Sequence, residues 1–452
     1  CGAIKERLPD ILDVWIDAGS ASWNCLDFPR RTDLFEKLYP ADFILEGIDQ
    51  IRGWFNLLFV ASMIAMNNKS FKAVYMHGFI NDAQGRKMSK SLGNYILPQE
   101  VIMEYGADTL RYYMIGSTSP GFDINYNFED MKVKHKNLTV LWNLHKYATD
   151  IGKNLKINSI DFKVFDNTVF NSYKLDVEEL YILSKLHSTI KKVTEIFDEY
   201  KLNEIPWQIE ELFLDLSRTY IQLTRDKSSI SSDEDKKVVF YTVFNVLFES
   251  LKLFAPIAPV ITEIMYQNLR QEFKLKEESI HLLGWPQYNE GFIDAELEAS
   301  MQTVSEIVQS ALAVREKLQF GIRWPLKEVV IAVKDKSIMN AVEKLKGAIK
   351  KQLNVKDVSA VESMHNVKLK IKADYSRIGP DFGDKAPLII AQLTIDSPET
   401  VLKHIQEKGK YAIKINGETI NIVKEHLIVT REVPLPYEEG AFKNGFIYLN
   451  KD

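Results

Sequence analysis

The spacing of apolar and polar positions changes character twice along this chain of 452 residues, and the three stretches it marks out predict three architectures. In residues 1–127, short apolar runs alternate with helical spacing. Residues 14–16, 43–45 and 74–79 read as buried strands. Residues 50 to about 66 and 98 to about 116 carry apolar side chains three and four apart, the spacing of one helix face. Such alternation predicts an α/β unit, part of a doubly wound, Rossmann-like sheet.

From about residue 128 the strand period disappears. Residues 128–155, 180–201, 205–225, 232–254 and 260–273 all repeat at helical spacing, with a break at Ala255-Pro256-Ile257-Ala258-Pro259. An all-α helix bundle is expected over 128–290. Polar, irregular residues 158–176 and the Ser- and Asp-rich residues 226–235 read as loops. Past 290 the pattern is helical to about 318. Strand-like runs follow at 328–333, 367–371, 411–415, 427–430 and 446–449, interleaved with helices at 337–351 and 398–408. A small mixed α/β domain is expected over 291–452.

Composition narrows the class without choosing within it. Apolar content of 46% suffices for several cores and argues against disorder. The longest mainly apolar run, residues 54–66, is too short to span a membrane, and the first residues carry no secretory pattern. Two cysteines in this length argue for a reducing compartment and against a disulfide scaffold. A cytoplasmic monomer with no membrane partner is expected. Net charge is −5, divided as −5 over residues 1–130, −5 over 131–300 and +5 over 301–452. The total advertises no nucleic acid, but a local basic face is enough for phosphate contacts, so RNA stays open as a partner.

The chemistry concentrates in three segments of the first 94 residues. Gly85-Arg86-Lys87-Met88-Ser89-Lys90-Ser91-Leu92-Gly93-Asn94 sets two lysines three apart among small and hydroxyl-bearing residues, between a strand and a helix. Two flexible ammonium groups on a mobile loop suit charge that builds on a departing pyrophosphate. Alone, this reads more readily as a solvated surface loop. The other two segments alter that balance. Glu46-Gly47-Ile48-Asp49-Gln50-Ile51-Arg52-Gly53-Trp54-Phe55 follows a strand, with Asp49 where a helix N-cap would sit. Asp13-Val14-Trp15-Ile16-Asp17-Ala18-Gly19 reads as a strand end running into a turn. Polar groups where a parallel strand opens onto a helix are where open α/β sheets bind nucleotides.

Together these segments resemble the class I aminoacyl-tRNA synthetases, and among them the isoleucyl branch. Lys87 to Ser91 match the family's Lys-Met-Ser-Lys-Ser signature, and residues 46–55 carry the discriminating Glu-Gly-Ile-Asp-Gln-x-Arg-Gly-Trp-Phe pattern. The resemblance implies that 1–127 is the C-terminal half of a catalytic domain and 128–290 an anticodon-binding domain. It implies an ATP and adenylate site of Glu46, Gly47, Asp49, His77, Gly78, Lys87, Met88, Ser89, Lys90 and Ser91, with Lys87 and Lys90 catalytic. Glu46 would meet the aminoacyl-adenylate and Asp49 the ribose hydroxyls. Trp15, Gln50 and Trp54 would wall the amino-acid pocket, although on pattern alone both tryptophans read as core. The implied substrates are ATP with Mg2+, isoleucine and its tRNA. Arg225, Trp142 and Lys146 are candidate tRNA contacts in the bundle, with core packing the simpler reading of Trp142.

Some features depart from the family. Ala18 stands where a serine is usual, which removes a hydroxyl. The second signature, His-Ile-Gly-His, occurs nowhere in the chain, and no stretch accommodates the editing domain. Cys1-Gly2 matches the end of a Cys-x-x-Cys-Gly half-site, while Cys25 has no ligand partner nearby, so no metal site is expected here. The expectation is a C-terminal fragment, inactive by itself and poorly soluble through an exposed strand edge, with zinc only in a preceding segment. Two other readings stay open: a non-catalytic tRNA- or RNA-binding module with a degenerate nucleotide fold, and a valyl- or leucyl-type synthetase.

Overall fold

The computed structural model describes residues 4, 6–10, 13–160, 170 and 173–452. Cys1 and Gly2, and most of the loop expected over 158–176, lie outside the described residues. The chain forms two compact units, Cys1–Ile293 and Asp294–Asp452.

In the first unit, β1 (Ala41–Gly47) and β2 (Phe71–His77) pair in parallel, in register from Ala41 opposite Phe71 to Gly47 opposite His77. Parallel strands need a crossover, and the helix Trp54–Met66 supplies it. A second parallel pair, β3 (Ile80–Asn81) and β4 (Ile124–Asn125), follows directly. The α/β pattern is therefore present, with the strands in two short pairs.

Several expected elements differ. Residues 14–16 are not a strand. They open the helix Val14–Gly19, started by the Asp13 carboxylate accepting from the Trp15 amide at 2.9 Å. The helix lies so close to Trp54–Met66 that a Cβ on Gly19 would sit 3.1 Å from the Leu57 carbonyl oxygen. That packing overrides the strand propensity of Val-Trp-Ile. Asp49 is not an N-cap: residues Ile48–Arg52 form a 3-10 turn and Gly53 precedes the helix. The helix expected over 98–116 is two helices, Pro98–Tyr105 and Ala107–Gly116, broken at Gly106 with φ +85°. Residues 226–235 are largely helical, in Arg225–Ser229 and in the start of Asp233–Phe254, where the Ser232 hydroxyl caps the Asp235 amide.

Five long helices form the bundle: Phe128–Asn154, Val177–Asp198, Ile205–Asp215, Asp233–Phe254 and Pro259–Phe273. Leu141, Ile182, Leu186, Phe213, Phe244 and Leu269 are fully buried between them. At Gly152 the helices touch, since a Cβ there would lie 2.6 Å from the Phe273 ring. The α/β half is bound to the bundle at the proline-bearing break. Arg111 donates to the carbonyls of Ile257 at 2.9 Å and Pro256 at 3.0 Å, and the Asp108 carboxylate accepts from the Ile261 amide at 2.5 Å. Burial raises the Asp108 pKa.

The second unit begins with the helix Ala295–Lys317. Its main sheet has the order β11 (Tyr437–Phe442), β12 (Gly445–Asn450), β5 (Leu326–Ala332), β6 (Val355–Val361), with β5 and β6 parallel and the rest antiparallel. The hairpin β8 (Tyr411–Ile415) and β9 (Glu418–Ile422) and the pair β7 (Lys368–Ala373) and β10 (Leu427–Glu432) surround a separate core of Ile378, Ile389, Val401 and Ile422. β6, β9 and β11 have no counterpart among the expected strands. The overall class is nonetheless the expected one: α/β, then all-α, then small mixed α/β.

Candidate functional site

The C-terminal ends of β1 and β2 lie side by side, so register brings the candidate residues Gly47 and His77 together. Gly47 is opposite His77, and a Cβ on Gly47 would stand 3.3 Å from the His77 ring and 2.5 Å from an Asp49 carboxylate oxygen. A side chain at 47 would therefore fill the space between the imidazole and the carboxylate. Glu46 and Asp49 are exposed at this edge. Asp49 accepts from the Gln50 amide at 2.8 Å, while Gln50 Oε1 accepts from the Trp54 backbone at 3.2 Å. The indole of Trp54 donates to the Ala18 carbonyl at 3.0 Å. The contact made at position 18 is thus a backbone one, which the absent hydroxyl leaves untouched. The Trp15 ring edge comes within 3.8 Å of a Cβ placed on Gly53, whose other neighbour is Gln50 Oε1. Trp15 and Gln50 accordingly flank Gly53, the residue just before Trp54. Trp15 is 42% exposed, so it is not a core aromatic.

Beyond His77 the chain turns tightly. His77 Nδ1 is 2.8 Å from the Gly78 carbonyl, a bond the ring makes as donor. Gly78 leaves no room for a side chain: a Cβ would meet the Phe122 backbone at 2.4 Å. Its role here is the close passage of residues 121–123, whose Gly121 amide donates to the Met76 carbonyl at 2.9 Å.

The lysine loop leaves from β3. Lys87 is bridged antiparallel to Asn81, four residues past His77. Four residues of chain span at most about 14 Å, so the root of the loop stays near the ends of β1 and β2. Met88 is the loop's anchor, packed with Ile96 against the cluster of Val101, Tyr113, Ile124, Tyr126 and Met131. Lys87 and Lys90 are exposed, and among the described residues neither has a carboxylate within 4.0 Å. The Lys90 ammonium lies over the Tyr95 ring, 6.0 Å from its centroid. Ser89 and Ser91 face each other with hydroxyls 3.2 Å apart.

Two residues the sequence reading passed over hold this loop. Asp82 is buried beneath it, and Asn94 closes its far end. The Asn94 amide, followed by the backbone and guanidinium of Arg86, holds the Asp82 carboxyl far below the usual carboxylate range. The available signal was Asp82-Ala83-Gln84-Gly85, the composition of an Asx turn.

Away from this edge, a cavity of about 380 Å3 in the bundle is lined by Trp142, His145, Lys146, Lys153, Asn268 and Glu272 among others. Trp142 and Lys146 therefore share a surface. Arg225, though exposed, does not line it. Among the described residues no group of three or more His, Cys, Asp and Glu side chains could hold a metal, and Cys25 is an exposed free thiol. No helix of the described residues is long and apolar enough to cross a membrane.

This geometry has close relatives in sequence. Residues 3–127 match the family model described as tRNA synthetases class I (I, L, M and V), and residues 179–331 match the anticodon-binding domain of tRNA ligase. The isoleucine–tRNA ligase of Thermococcus kodakarensis is 36% identical over all of this chain and 41% of its own length. That of Archaeoglobus fulgidus is 37% identical over all of this chain and 42% of its own. The chain thus spans about two fifths of the curated relatives it matches. Among solved structures, the Agrobacterium radiobacter LeuRS in ternary complex with tRNA and LeuAMS aligns with a TM-score of 0.51 and 23% identity, over 66% of this chain and 35% of that one. At that identity the likeness is one of fold.

Proposed function

We propose that this chain is part of a class I tRNA synthetase, the family whose model matches residues 3–127, and that the full-length protein ligates isoleucine to its tRNA by way of isoleucyl-adenylate at the expense of ATP. The observation that carries this reading is the pair of carboxylate-free lysines, Lys87 and Lys90, on a loop rooted at the strand ends that also present Glu46 and Asp49. The division of labour we assign is an adenylation region in residues 1–127, an anticodon-binding bundle in 128–290 and a closing mixed domain in 291–452. A cytoplasmic monomer is part of the same reading.

The isoleucine carboxylate attacks the α-phosphorus of ATP in line, and pyrophosphate leaves. Lys87 and Lys90 follow the charge growing on the pyrophosphate, and Mg2+ enters with ATP as the counter-ion of the phosphates. With Met88 seated in the apolar cluster, the ammonium groups and the Ser89 and Ser91 hydroxyls on the same loop face the phosphates. Asp49 accepts the ribose hydroxyls, Glu46 meets the aminoacyl-adenylate, and the bare backbone of Gly47 with the His77 ring and Gly78 passes along the adenine. Trp15, Gln50 and Trp54 form the slot for the branched side chain. Such a slot distinguishes one methylene by only about 1–3 kcal/mol. The tRNA 3′ hydroxyl then attacks the acyl carbon and releases AMP. In the bundle, Trp142 and Lys146 suit a splayed loop base and its phosphate, and Arg225 a more distant phosphate.

Isoleucine-dependent ATP–pyrophosphate exchange by the full-length protein is the test. Exchange with isoleucine well above that with valine or leucine is expected. Preference for either of the latter would move the substrate, and no exchange with any of the three would leave the RNA-binding module.

A further inference from the structure

The basic loop contains three cations, Arg86, Lys87 and Lys90, yet the fold treats them differently. Arg86 is bound back onto the protein: its Nε donates to Asp82 Oδ2 at 2.8 Å and its Nη2 reaches Gln84 Oε1 at 3.3 Å. Asp82, 6% exposed, spends its other oxygen on the amides of Gln84 at 3.0 Å and Arg86 at 2.8 Å. Asn94, twelve residues on, completes the arrangement. Its amide nitrogen donates to Asp82 Oδ2 at 3.0 Å and to the Lys87 carbonyl at 3.2 Å, while its oxygen accepts from the Ser89 amide at 2.9 Å. One side chain therefore grips the peptide groups on both sides of Met88 and ties them to a buried carboxylate. Both lysine side chains are left out of this network.

We propose that Asp82, Arg86 and Asn94 form a latch that positions the Lys87–Lys90 backbone, so that the two ammonium groups approach the ATP polyphosphate from a fixed direction, and that Arg86 serves this latch and not the phosphates. This rests on the nucleotide reading of the loop given above. The physical logic is preorganisation. A flexible lysine contributes most to a developing charge when its backbone is already in place. A guanidinium held by Asp82 and Gln84 is fixed in orientation, and swinging it fully onto a phosphate would break its charge-assisted bond to Asp82. The latch residues are positioning residues: none of them needs to touch substrate.

Two measurements on Asn94→Ala test the latch. In this chain, trypsin cleavage after Lys87 and Lys90 should accelerate about tenfold, the scale set by one buried hydrogen-bonding group left unpaired, with the far-ultraviolet circular dichroism unchanged. In the full-length protein, kcat for isoleucine-dependent ATP–pyrophosphate exchange should fall by a similar factor while KM for isoleucine stays constant. The loss should also vanish when both lysines are absent: in a Lys87→Ala/Lys90→Ala background, Asn94→Ala should cost nothing more, because the latch acts only through the lysines. Arg86→Gln should behave like Asn94→Ala, and its loss should likewise disappear in the background lacking both lysines. Unchanged trypsin cleavage, or losses that persist in that background, would overturn the latch. If Lys90→Ala itself leaves exchange intact, the nucleotide reading of the loop fails and takes the latch with it. If Lys90→Ala is costly and Asn94→Ala is silent, the latch alone fails.

Discussion

The lysine loop and the helix bundle sit in one compact unit and handle charge in opposite ways. In the bundle, cations and acids that leave water are paired. Fully buried Glu179 accepts from Tyr220 at 2.9 Å and Lys227 at 2.9 Å. Lys185 lies between Glu211 and Asp215, which raise its pKa against the opposing effect of burial. Glu210 takes Lys134 at 2.6 Å as well as the Tyr112 hydroxyl. In the loop, the buried acid Asp82 takes Arg86 and Asn94, and both lysines stay uncommitted. The difference separates two uses of the same residue types. Where a low dielectric makes an unpaired charge costly, pairing is structural. Where the charge stays in water and the backbone beneath it is fixed, the charge is available to a ligand.

The sharpest way to break this comparison is to remove one partner on each side. Glu179→Ala should destabilise the chain by about 1–3 kcal/mol, since it takes the acceptor from the buried Tyr220 hydroxyl and leaves Lys227 with Asp176 alone. Urea unfolding reads this, and trypsin cleavage of the folded loop should be unaltered. Lys90→Ala should do the reverse in the full-length protein. Its unfolding midpoint should stay constant while isoleucine-dependent pyrophosphate exchange drops about 100- to 1000-fold, the cost of one preorganised charge donor.

A third expectation concerns pH. His187 is buried, stacks on Phe292 with ring centroids 5.1 Å apart, and accepts from the Asn289 amide at 3.2 Å. Burial pushes its pKa down to about 4. The unfolded chain then binds more protons than the folded one between about pH 6.5 and 4. The stability due to neutral His187 is complete above that window and lost as pH falls through it, by up to about 3 kcal/mol. His187→Phe should flatten the acid limb of a thermal-unfolding profile; an unchanged slope would refute the assignment. The smallest effect is at Trp54. Trp54→Phe keeps the ring but loses the bond to the Ala18 carbonyl. It should raise the isoleucine KM about fivefold, near 1 kcal/mol, with kcat for exchange nearly constant.

Much of the fold was legible in residue spacing because the bundle helices are long and their apolar faces continuous: Phe128–Asn154 and Asp233–Phe254 agree with their expected limits to within a residue or two. The errors fall on short segments. Val-Trp-Ile has strand propensity, but three residues carry too little of it to resist the Asp13 cap and the contact of Gly19 with Leu57. The break at Gly106 was hidden by apolar spacing that runs through it, because a positive φ leaves no mark on periodicity. β6, β9 and β11 were missed in the second unit, where short mixed strands alternate with short helices. At the candidate site, residue identities were readable from the motif at 87–91 and the segment 46–55. The bonds of Asp82 and Asn94 were not, since they span up to twelve residues of loop with no period to follow.

The sequence by itself determined which residues are candidates for the chemistry and where the long bundle helices run, because both depend on local identity and spacing. Only the tertiary structure decided that Gly47 stands opposite His77, that Trp15 and Gln50 flank the same glycine, and that Arg86 is spent on Asp82 while its lysine neighbours are not. Those outcomes depend on register, burial and competition for partners. Each arises from groups brought together by folding, and no single segment contains enough of them to fix the result.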